Sequence, residues 1–405
     1  MVINNFSSVR LLSQEKPHIA NNHWDKFETL LSLPHNQERK AEGGLRGKGY
    51  FKHSYKYIGN ECLSASNTES KRMPEDSNEL MADIFLETIA GDNTGYSNLE
   101  KQEIDTTYTT DTGKWHICDT DGNPVKPAAM ETQEKINEYI QGLPAENRRI
   151  TFLPLITVVT VVFNGEKTLE ETIQSVINQT YPNVEYIIID GGSTDGTIDI
   201  IRKYEDAIDY WASEPDKGIY DAMNKGIILI SGRWVYFLNS GDLIFDYNVF
   251  KDIFMNMSND CDFIYGNVFM KPVSNKIYDG FFNSYKLMLK NISHQAAFYR
   301  KKLFTKYGFY NTKYYSYSDH EFNLKIFKNS KKKYIERVIA IYDEQGYSSK
   351  NIDHKFLDDL SFIIKENLGL RFFILYKIRR FIVKLLILLR IKILTQKFIN
   401  FFRFK

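Results

Sequence analysis

The sequence predicts an α/β fold in which an open sheet is flanked by helices, and three observations support this prediction. Residues 155–163 form an apolar run rich in Val, Ile and Thr that stops at Asn164-Gly165. Such a run is typical of a strand buried on both faces. A helical pattern follows, and a second apolar run covers residues 184–189. Strand, helix and strand at this spacing indicate a βαβ unit with a right-handed crossover.

The helix between these strands places Leu169, Ile173 and Val176 on one face, and Thr168 is its predicted N-cap. The second strand ends in the polar, glycine-containing loop 190–197. In open α/β sheets, ligands bind outside the carboxyl ends of the strands. A nucleotide is therefore expected at this edge of the sheet.

Further elements follow in order along the main domain. The patterns predict a helix at 198–204, a strand at 208–212, a turn leading into a helix at 213–226, strands at 234–238 and 262–267, and helices beginning at 301 and near 319. The strand at 234–238 runs into Asn239-Ser240-Gly241-Asp242, so another carboxylate arrives at the end of a strand.

Composition describes an ordinary globular protein of 405 residues with a formal net charge of +1, which gives no argument for nucleic-acid binding. Its three cysteines have no metal-ligand spacing and indicate a reducing compartment. The first residues lack the basic and apolar regions of a secretory signal. Uncharged apolar runs of about 18 residues are absent, so no simple transmembrane helix is expected. These features predict a cytoplasmic protein.

Shifts in composition divide the chain into four parts: an N-terminal extension at 1–53, an acidic polar region at 54–150 that is inserted or appended, the main domain at 151–345 and a helical tail at 346–405. The glycine-rich stretch at 43–49 is interpreted as a flexible linker. Contact of its backbone N–H groups with phosphate is the alternative.

The acidic region shows helical patterns at 77–89 and 131–141, with a strand and turn at 114–123 between them. Asp119, Asp121 and Asn123 resemble the start of a calcium loop, but the downstream Glu is missing. A turn is the favoured interpretation, and the role of this region cannot be read from its sequence.

Two carboxylates at strand ends suggest a ligand site. Asp190 beside two glycines can accept a hydrogen bond from a base or a ribose hydroxyl, and capping of the following turn is an equal alternative. Asp242 can hold a divalent cation that keeps positions open for a diphosphate. A plain turn residue is the alternative for Asp242.

Asp319 and Glu321 stand at the start of an amphipathic helix. One of them can act as a general base toward an acceptor hydroxyl, whereas interaction with the helix dipole is the simpler interpretation. His294 can contact the substrate or can simply make a hydrogen bond within the protein, and the sequence favours neither interpretation.

These segments together resemble the family-2 glycosyltransferases with a GT-A fold, and in particular bacterial members that assemble cell-surface polysaccharides. The resemblance covers residues 155 to about 347. Its matching segments are 157–164 (TVVTVVFN), 175–181 (SVINQTY), 189–197 (IDGGSTDGT), 213–226 (SEPDKGIYDAMNKG) and 237–242 (FLNSGD). The sequence departs from many members at Asn239 and Gly241, where they carry acidic residues.

The resemblance implies a role for each matching residue. The nucleotide pocket would contain Thr160, Val162, Asn164, Glu166, Asp190, Gly191 and Asp195. The donor sugar and diphosphate would be bordered by Asp216, Lys217, Gly218, Asn224, Lys225, Ser240 and Gly241. Asp242 would bind Mg or Mn, and His294 and Gln295 would lie on the acceptor side. Asp319 would be the catalytic base, with Glu321 as its rival.

The implied reaction is an inverting transfer of a sugar from a nucleotide diphosphate sugar, with a UDP-sugar favoured, to a hydroxyl of a saccharide or a lipid-linked saccharide. A catalytically inactive relative that binds nucleotide sugar or glycan as a scaffold is the alternative. The joint presence of Asp190, Asp242 and Asp319 favours the enzyme. A nicotinamide dehydrogenase is disfavoured because no G-x-G-x-x-G follows the first strand.

The tail from residue 368 onward combines Leu, Ile and Phe with Lys and Arg and contains no acidic residue. Such a segment is attracted to anionic membrane surfaces, and its frequent charges favour lying on a bilayer over crossing it. Docking of the tail against the catalytic domain is the alternative. The first interpretation predicts a peripheral protein on the inner face of the cell membrane, near a lipid-linked acceptor.

Overall fold

The computed structural model describes residues 29–52, 55–58, 61–62, 106–109, 115–118, 150–181, 183–254, 261–278, 280–344 and 352–388. The helical patterns predicted at 77–89 and 131–141, the turn at 119–123 and the end of the tail lie outside the described residues.

Fifteen strands and nine α-helices are found in these described parts of the chain. The strands are β1 Ala41–Gly43, β2 Tyr55–Ile58, β3 Glu61–Cys62, β4 Thr106–Thr109, β5 Trp115–Cys118, β6 Ile150–Leu153, β7 Ile156–Val162, β8 Val184–Asp190, β9 Tyr210–Ser213, β10 Trp234–Phe237, β11 Leu243–Ile244, β12 Phe263–Lys271, β13 Lys276–Tyr278, β14 Ala297–Arg300 and β15 Lys332–Asp343. The helices are α1 Leu169–Ile177, α2 Thr197–Lys203, α3 Ile219–Ile227, α4 Val249–Phe254, α5 Ser284–Leu289, α6 Lys301–Tyr307, α7 Ser318–Phe327, α8 His354–Leu368 and α9 Leu370–Leu388.

One large mixed sheet organises the main domain, which confirms the predicted α/β class. Its strand order is β1-β9-β8-β7-β10-β14-β12-β15-β11, and β13 pairs with β12. Strands β9, β8, β7 and β10 run parallel to one another, whereas β14 is antiparallel to both of its neighbours. The small strands form a separate β3-β2-β6 sheet and a β4-β5 hairpin.

Two apolar cores lie on the two faces of this sheet. Along β7, Val159 and Val161 point into one core, and Ile156, Val158 and Val162 point into the other. Side chains of a strand alternate between the faces, and both faces are covered here. This double burial explains why the first strand reads as a continuous apolar run instead of an alternating pattern.

The N-terminal segment packs as part of the main domain, so the linker interpretation of residues 43–49 is wrong. Strand β1 pairs antiparallel with the edge strand β9, and a 3₁₀ turn follows at Leu45–Lys48. Buried Arg46 contacts Glu185 at 2.6 Å, and buried Lys52 contacts Asp209 at 2.7 Å. These partners lie far away in the sequence, where a local reading cannot find them. Contact of this stretch with phosphate stays a prediction.

Helix α9 docks against the domain, as the alternative interpretation of the tail predicts, and contact with a membrane stays a prediction. Tyr376 of α9 is buried in one of the apolar cores, with Phe372 packed against it. The other side of α9 exposes large apolar side chains, among them Ile378, Phe381 and Leu385. Within the described residues, none of the helices has the length and apolar character needed to cross a bilayer. One side of α9 therefore docks on the domain, and the other is open to a further surface.

We predict that Lys52→Met destabilises the protein by about 3–5 kcal/mol, because it leaves the Asp209 carboxylate buried without its cation. Urea unfolding followed by circular dichroism measures this loss. Lys48→Met is the matched control, since Lys48 pairs with Asp206 on the surface; its cost should stay below about 1 kcal/mol. Equal losses in the two variants would contradict a structural role for the buried pair.

Candidate active site

A cavity of about 500 Å³ opens at the carboxyl ends of the central strands, where a ligand site is predicted. Its walls come from the ends of β7, β10 and β15 and from the beginning of α3. Eight of the residues implied by the resemblance line it: Val162, Asn164, Asp216, Lys217, Gly218, Ser240, Asp242 and Gln295.

The turn after β7 is tied to the loop after β8. Asn164 has a left-handed backbone with φ of 51°, a conformation that Asn tolerates better than most residues. Its amide oxygen accepts from the backbone N–H of Thr194 at 2.9 Å, and its own N–H donates to the Ser193 hydroxyl at 2.7 Å. The two strand ends therefore form one connected wall.

Asp190 organises the loop after β8 from a fully buried position. Its carboxylate accepts from the N–H groups of Gly192 at 3.2 Å and Ser193 at 3.0 Å, and from the hydroxyls of Ser193 and Ser213. These contacts agree with the turn-capping alternative for Asp190. Its direct contact with a nucleotide stays a prediction. Lys40 supports the same loop by donating to the Gly192 carbonyl at 2.7 Å.

Gly191 allows Asp216 to approach this loop. A Cβ atom on Gly191 would lie 2.4 Å from Oδ2 of Asp216, so a larger residue would displace that carboxylate. The other oxygen of Asp216 accepts from the Gly218 N–H at 2.8 Å, and burial raises the pKa of Asp216. Asp190 thus holds the loop in which Gly191 leaves room for Asp216, and Asp216 lines the cavity.

The N-terminus of α3 faces the cavity beside Lys217. Gly218 and Ile219, at the start of this helix, both line the cavity. The first N–H groups of a helix carry partial positive charge and lack partners within the helix, which suits an anion. The N–H groups of Lys217 and Gly218 donate to Asp221 and Asp216. An anion at this wall would therefore meet the next N–H groups of the helix and the exposed Lys217 ammonium.

Asp242 is a buried carboxylate, and the donors that it meets among the described residues are neutral. Gln295 donates from Nε2 to Oδ2 of Asp242 at 2.7 Å, and the backbone N–H of Asp343 donates to Oδ1 at 2.9 Å. Burial raises the pKa of Asp242 to about 6. A negative charge in such a place is costly unless it is compensated.

These contacts fit a divalent cation at Asp242. The described residues contain no group of three or more His, Cys, Asp or Glu side chains suited to hold a metal. Magnesium commonly uses one or two carboxylates and completes its shell with water and substrate phosphates. The donor set around Asp242, open to the cavity, has this character.

Asp319 is connected to the cavity through a chain of buried hydrogen bonds. Its carboxylate accepts from the Tyr220 hydroxyl at 2.8 Å and from Asn291 Nδ2 at 2.7 Å, and it lies 3.2 Å from His294 Nδ1. Nε2 of His294 lies 2.9 Å from Nδ2 of Asn239, which lines the cavity. Because the carboxylate only accepts, Nδ1 of His294 carries a proton in this contact.

The ionised form of Asp319 is stabilised in this network. Burial alone would raise the pKa of Asp319, but hydrogen bonding and charge interaction with His294 and the bond from Tyr220 bring it below its usual value. Glu321 has different neighbours: it pairs with Lys325 at 3.2 Å, and Asn311 lies 3.5 Å away. The geometry therefore favours Asp319 over Glu321 as the base.

Other residues implied by the resemblance lie behind or beside the cavity wall. The buried Thr160 hydroxyl bonds to the Tyr186 hydroxyl at 3.1 Å. Asn224 donates to the Tyr310 carbonyl at 2.8 Å, and Lys225 pairs with Glu214 at 2.8 Å. These residues support the wall, and direct substrate contact by them stays a prediction.

Two acidic residues lie at the rim. The Glu166 N–H donates to the Asp195 carboxylate at 3.1 Å, which joins the turn after β7 to the loop after β8.

Thr168 precedes α1, but its hydroxyl makes no capping bond to the helix. Thr168 thus occupies the predicted N-cap position, but its hydroxyl lies 3.0 Å from the Ser240 hydroxyl instead.

Of the three carboxylates singled out in the sequence, Asp242 lines the cavity directly. Asp190 lies behind the wall, where it holds the loop beside Asp216, and Asp319 is linked to the wall through His294 and Asn239. The roles assigned to Asp190 and Asp319 stay predictions.

Several lining residues were not predicted from the sequence. Phe163 is 65% exposed and Tyr315 is 44% exposed, and both line the cavity. Tyr342 and Asp343 arrive from the end of β15. The rule that carboxylates at strand ends mark a site would have found Asp343, had this strand been recognised.

Comparison with known proteins identifies the family. A family model described as "Glycosyl transferase family 2" matches residues 157–309. A PGL/p-HBAD biosynthesis glycosyltransferase of Mycobacterium bovis is 33% identical over 227 residues, which is 54% of this chain and 88% of the relative. The chain therefore belongs to glycosyltransferase family 2 and is a glycosyltransferase.

Two further similarities extend the comparison. A putative teichuronic acid biosynthesis glycosyltransferase, TuaG, of Bacillus subtilis is 36% identical over 113 residues, covering 27% of this chain and 45% of the relative. The crystal structure of S. aureus TarS 1–349 in complex with UDP-GlcNAc is 18% identical with a TM-score of 0.44, covering 53% of this chain and 67% of that one.

We predict that Asp242→Asn changes how stability depends on pH. The folded pKa of Asp242, about 6, lies above the unfolded value of about 4, so the wild-type protein loses stability as pH rises through this window. Between pH 5 and pH 7.5, the wild type should lose about 1 kcal/mol relative to the variant. Urea unfolding with a chelator present measures both proteins at both pH values. Parallel pH dependence of the two proteins would contradict the raised pKa.

Proposed function

We propose that this glycosyltransferase moves a sugar, with inversion, from a nucleotide diphosphate sugar to a hydroxyl of a saccharide or lipid-linked saccharide. The observation that carries the proposal is the meeting, in one cavity, of the α3 N-terminus, the Asp242 carboxylate and the Asp319–His294–Asn239 chain. The first two suit a leaving diphosphate, and the third holds the proposed base, Asp319, behind the cavity wall.

In the proposed reaction, the acceptor oxygen bonds to the anomeric carbon as the bond to the diphosphate breaks. Asp319 takes the hydroxyl proton, a contribution of about 10²–10⁴ in rate. Tyr220, Asn291 and His294 support this role by keeping the carboxylate ionised and oriented. Holding donor and acceptor together in one cavity supplies a further part of the acceleration.

The leaving diphosphate would lie against the start of α3 and Lys217, where N–H groups and an ammonium stabilise its charge. Asp242 would hold a divalent cation, which neutralises charge on the diphosphate when bound. The turn after β7 and the loop after β8 would surround the nucleotide, and uridine is the base favoured by the sequence resemblance.

The proposed acceptor belongs to the assembly of capsule, O-antigen or another cell-surface polysaccharide. Two relatives are named for PGL/p-HBAD biosynthesis and teichuronic acid biosynthesis, which supports this assignment. A lipid-linked acceptor would also explain the exposed apolar and basic face of α9, because a membrane surface would then bring enzyme and acceptor together.

A panel of nucleotide sugars, assayed for release of nucleotide diphosphate with and without Mg or Mn, tests the proposed transfer. One donor should be consumed, and product stereochemistry should be inverted. Absence of turnover with every donor and acceptor tried, together with tight nucleotide-sugar binding, would instead support the inactive scaffold.

We predict that Asp319→Asn lowers kcat by about 10²–10⁴ with little change in the donor KM, because the variant lacks the base but keeps the donor wall. Glu321→Gln serves as the matched control, since Glu321 faces Lys325 and Asn311. Its kcat should remain within a few-fold of wild type. A larger loss in Glu321→Gln than in Asp319→Asn would reverse the assignment of the base.

We predict that the double variant Ile378→Glu/Phe381→Glu binds anionic membranes less than the wild type. Ile378 is 51% exposed and Phe381 is 67% exposed on α9, and acidic replacements there add desolvation cost and repulsion. Cosedimentation with phosphatidylcholine–phosphatidylglycerol vesicles measures the bound fraction. Val273→Glu/Ile277→Glu, at exposed apolar sites of 72% and 59% on the β12–β13 hairpin, is the control. Equal vesicle binding by wild type and the α9 variant would contradict the proposal.

A further inference from the structure

The space beside Gly241 is bordered by a carboxylate from a distant strand. Many family members carry an acidic residue at this position, as noted above, whereas this chain has glycine with φ of 100°. A Cβ atom built on Gly241 would lie 3.6 Å from Oδ2 and 3.9 Å from Cβ of Asp343, and these are the nearest atoms. The side chain of Asp343 therefore borders the place where a side chain at 241 would project.

Strand register places Asp343 there. Leu243 and Ile244 of β11 pair antiparallel with Ile341 and Ala340 of β15. Asp242, the residue before Leu243, therefore lies beside the last residues of β15. The Asp343 N–H donates to Asp242 Oδ1 at 2.9 Å. Backbone pairing therefore fixes the Asp343 N–H beside the Asp242 carboxylate and the Asp343 side chain beside Gly241. Asp242 and Asp343 both line the same cavity.

The oxygens of Asp242 keep capacity for a cation. Each carboxylate oxygen has two lone pairs, and the bonds from Gln295 and from the Asp343 N–H use one on each oxygen. Two carboxylates brought together repel each other unless a cation lies between or beside them. Mg²⁺ and Mn²⁺ favour oxygen ligands, and one or two carboxylates with open positions for phosphate are a usual set for Mg²⁺.

We propose that Asp343 supplies the second carboxylate of a divalent-cation site centred on Asp242, in place of the acidic residue absent at position 241. The inference rests on the proposed function, since it takes the cation as one that accompanies the leaving diphosphate. It adds a ligand at the end of β15, outside the five matching segments quoted for the family.

Binding of Mn²⁺ to the full-length protein tests this assignment without requiring turnover. Calorimetric titration with MnCl₂, alone and with UDP, compares the wild type with Asp343→Asn. The variant keeps the backbone N–H bond to Asp242 and the size of the side chain. Its Kd for Mn²⁺ should be at least tenfold weaker. Glu344→Gln is the matched control, because Glu344 bonds to Ser274 and is the adjacent residue; its Kd should equal that of the wild type.

The outcomes separate this inference from the sugar-transfer proposal. Mn²⁺ binding by Asp343→Asn within twofold of wild type would overturn the role of Asp343, even if sugar transfer is observed. Absence of Mn²⁺ binding by the wild type would overturn it as well. Tenfold or greater loss in Asp343→Asn, with turnover undetectable for every donor, would uphold the cation site while the proposed transfer fails.

Discussion

The parallel arrangement of β9, β8, β7 and β10 is the constraint on which the rest of the structure depends. Parallel strands all end at the same edge, so the loops that follow them meet there regardless of their separation in the chain. Each of these strands is buried on both faces, which leaves the loops at this edge as the place for polar groups. The cavity, the start of α3 and the Asp190 loop all follow from that geometry.

Buried acidic residues of the domain differ in how their charge is compensated. Glu185 and Asp209, away from the cavity, are paired with Arg46 and Lys52 of the N-terminal segment. These pairs join the segment to the sheet. Asp242, in the cavity, receives an amide and a backbone N–H from the described residues. A buried carboxylate without a protein cation is poised for a ligand that brings positive charge.

Much of the main domain was predictable because its signals are local. The runs that became β7, β8 and β10 and the turns after them are read from adjacent residues. Strand β15 was not recognised, so Asp343 at its end was missed. Its proximity to Asp242 could not be read from the sequence either, because 101 residues separate the two. The linker interpretation of residues 43–49 failed for a related reason: glycine content suggested flexibility, whereas the partners that hold Arg46 and Lys52 lie 139 and 157 residues away.

The sequence by itself determined the α/β class, the central strands and the acidic residues at their ends, because side-chain periodicity and turn chemistry act between near neighbours. The tertiary structure alone decided how those residues meet: Asp190 holds a loop, Asp319 reaches the cavity through His294 and Asn239, and Asp343 lies beside Asp242. Such contacts depend on strand order and register. Pairing between distant segments sets both, and no local pattern records it.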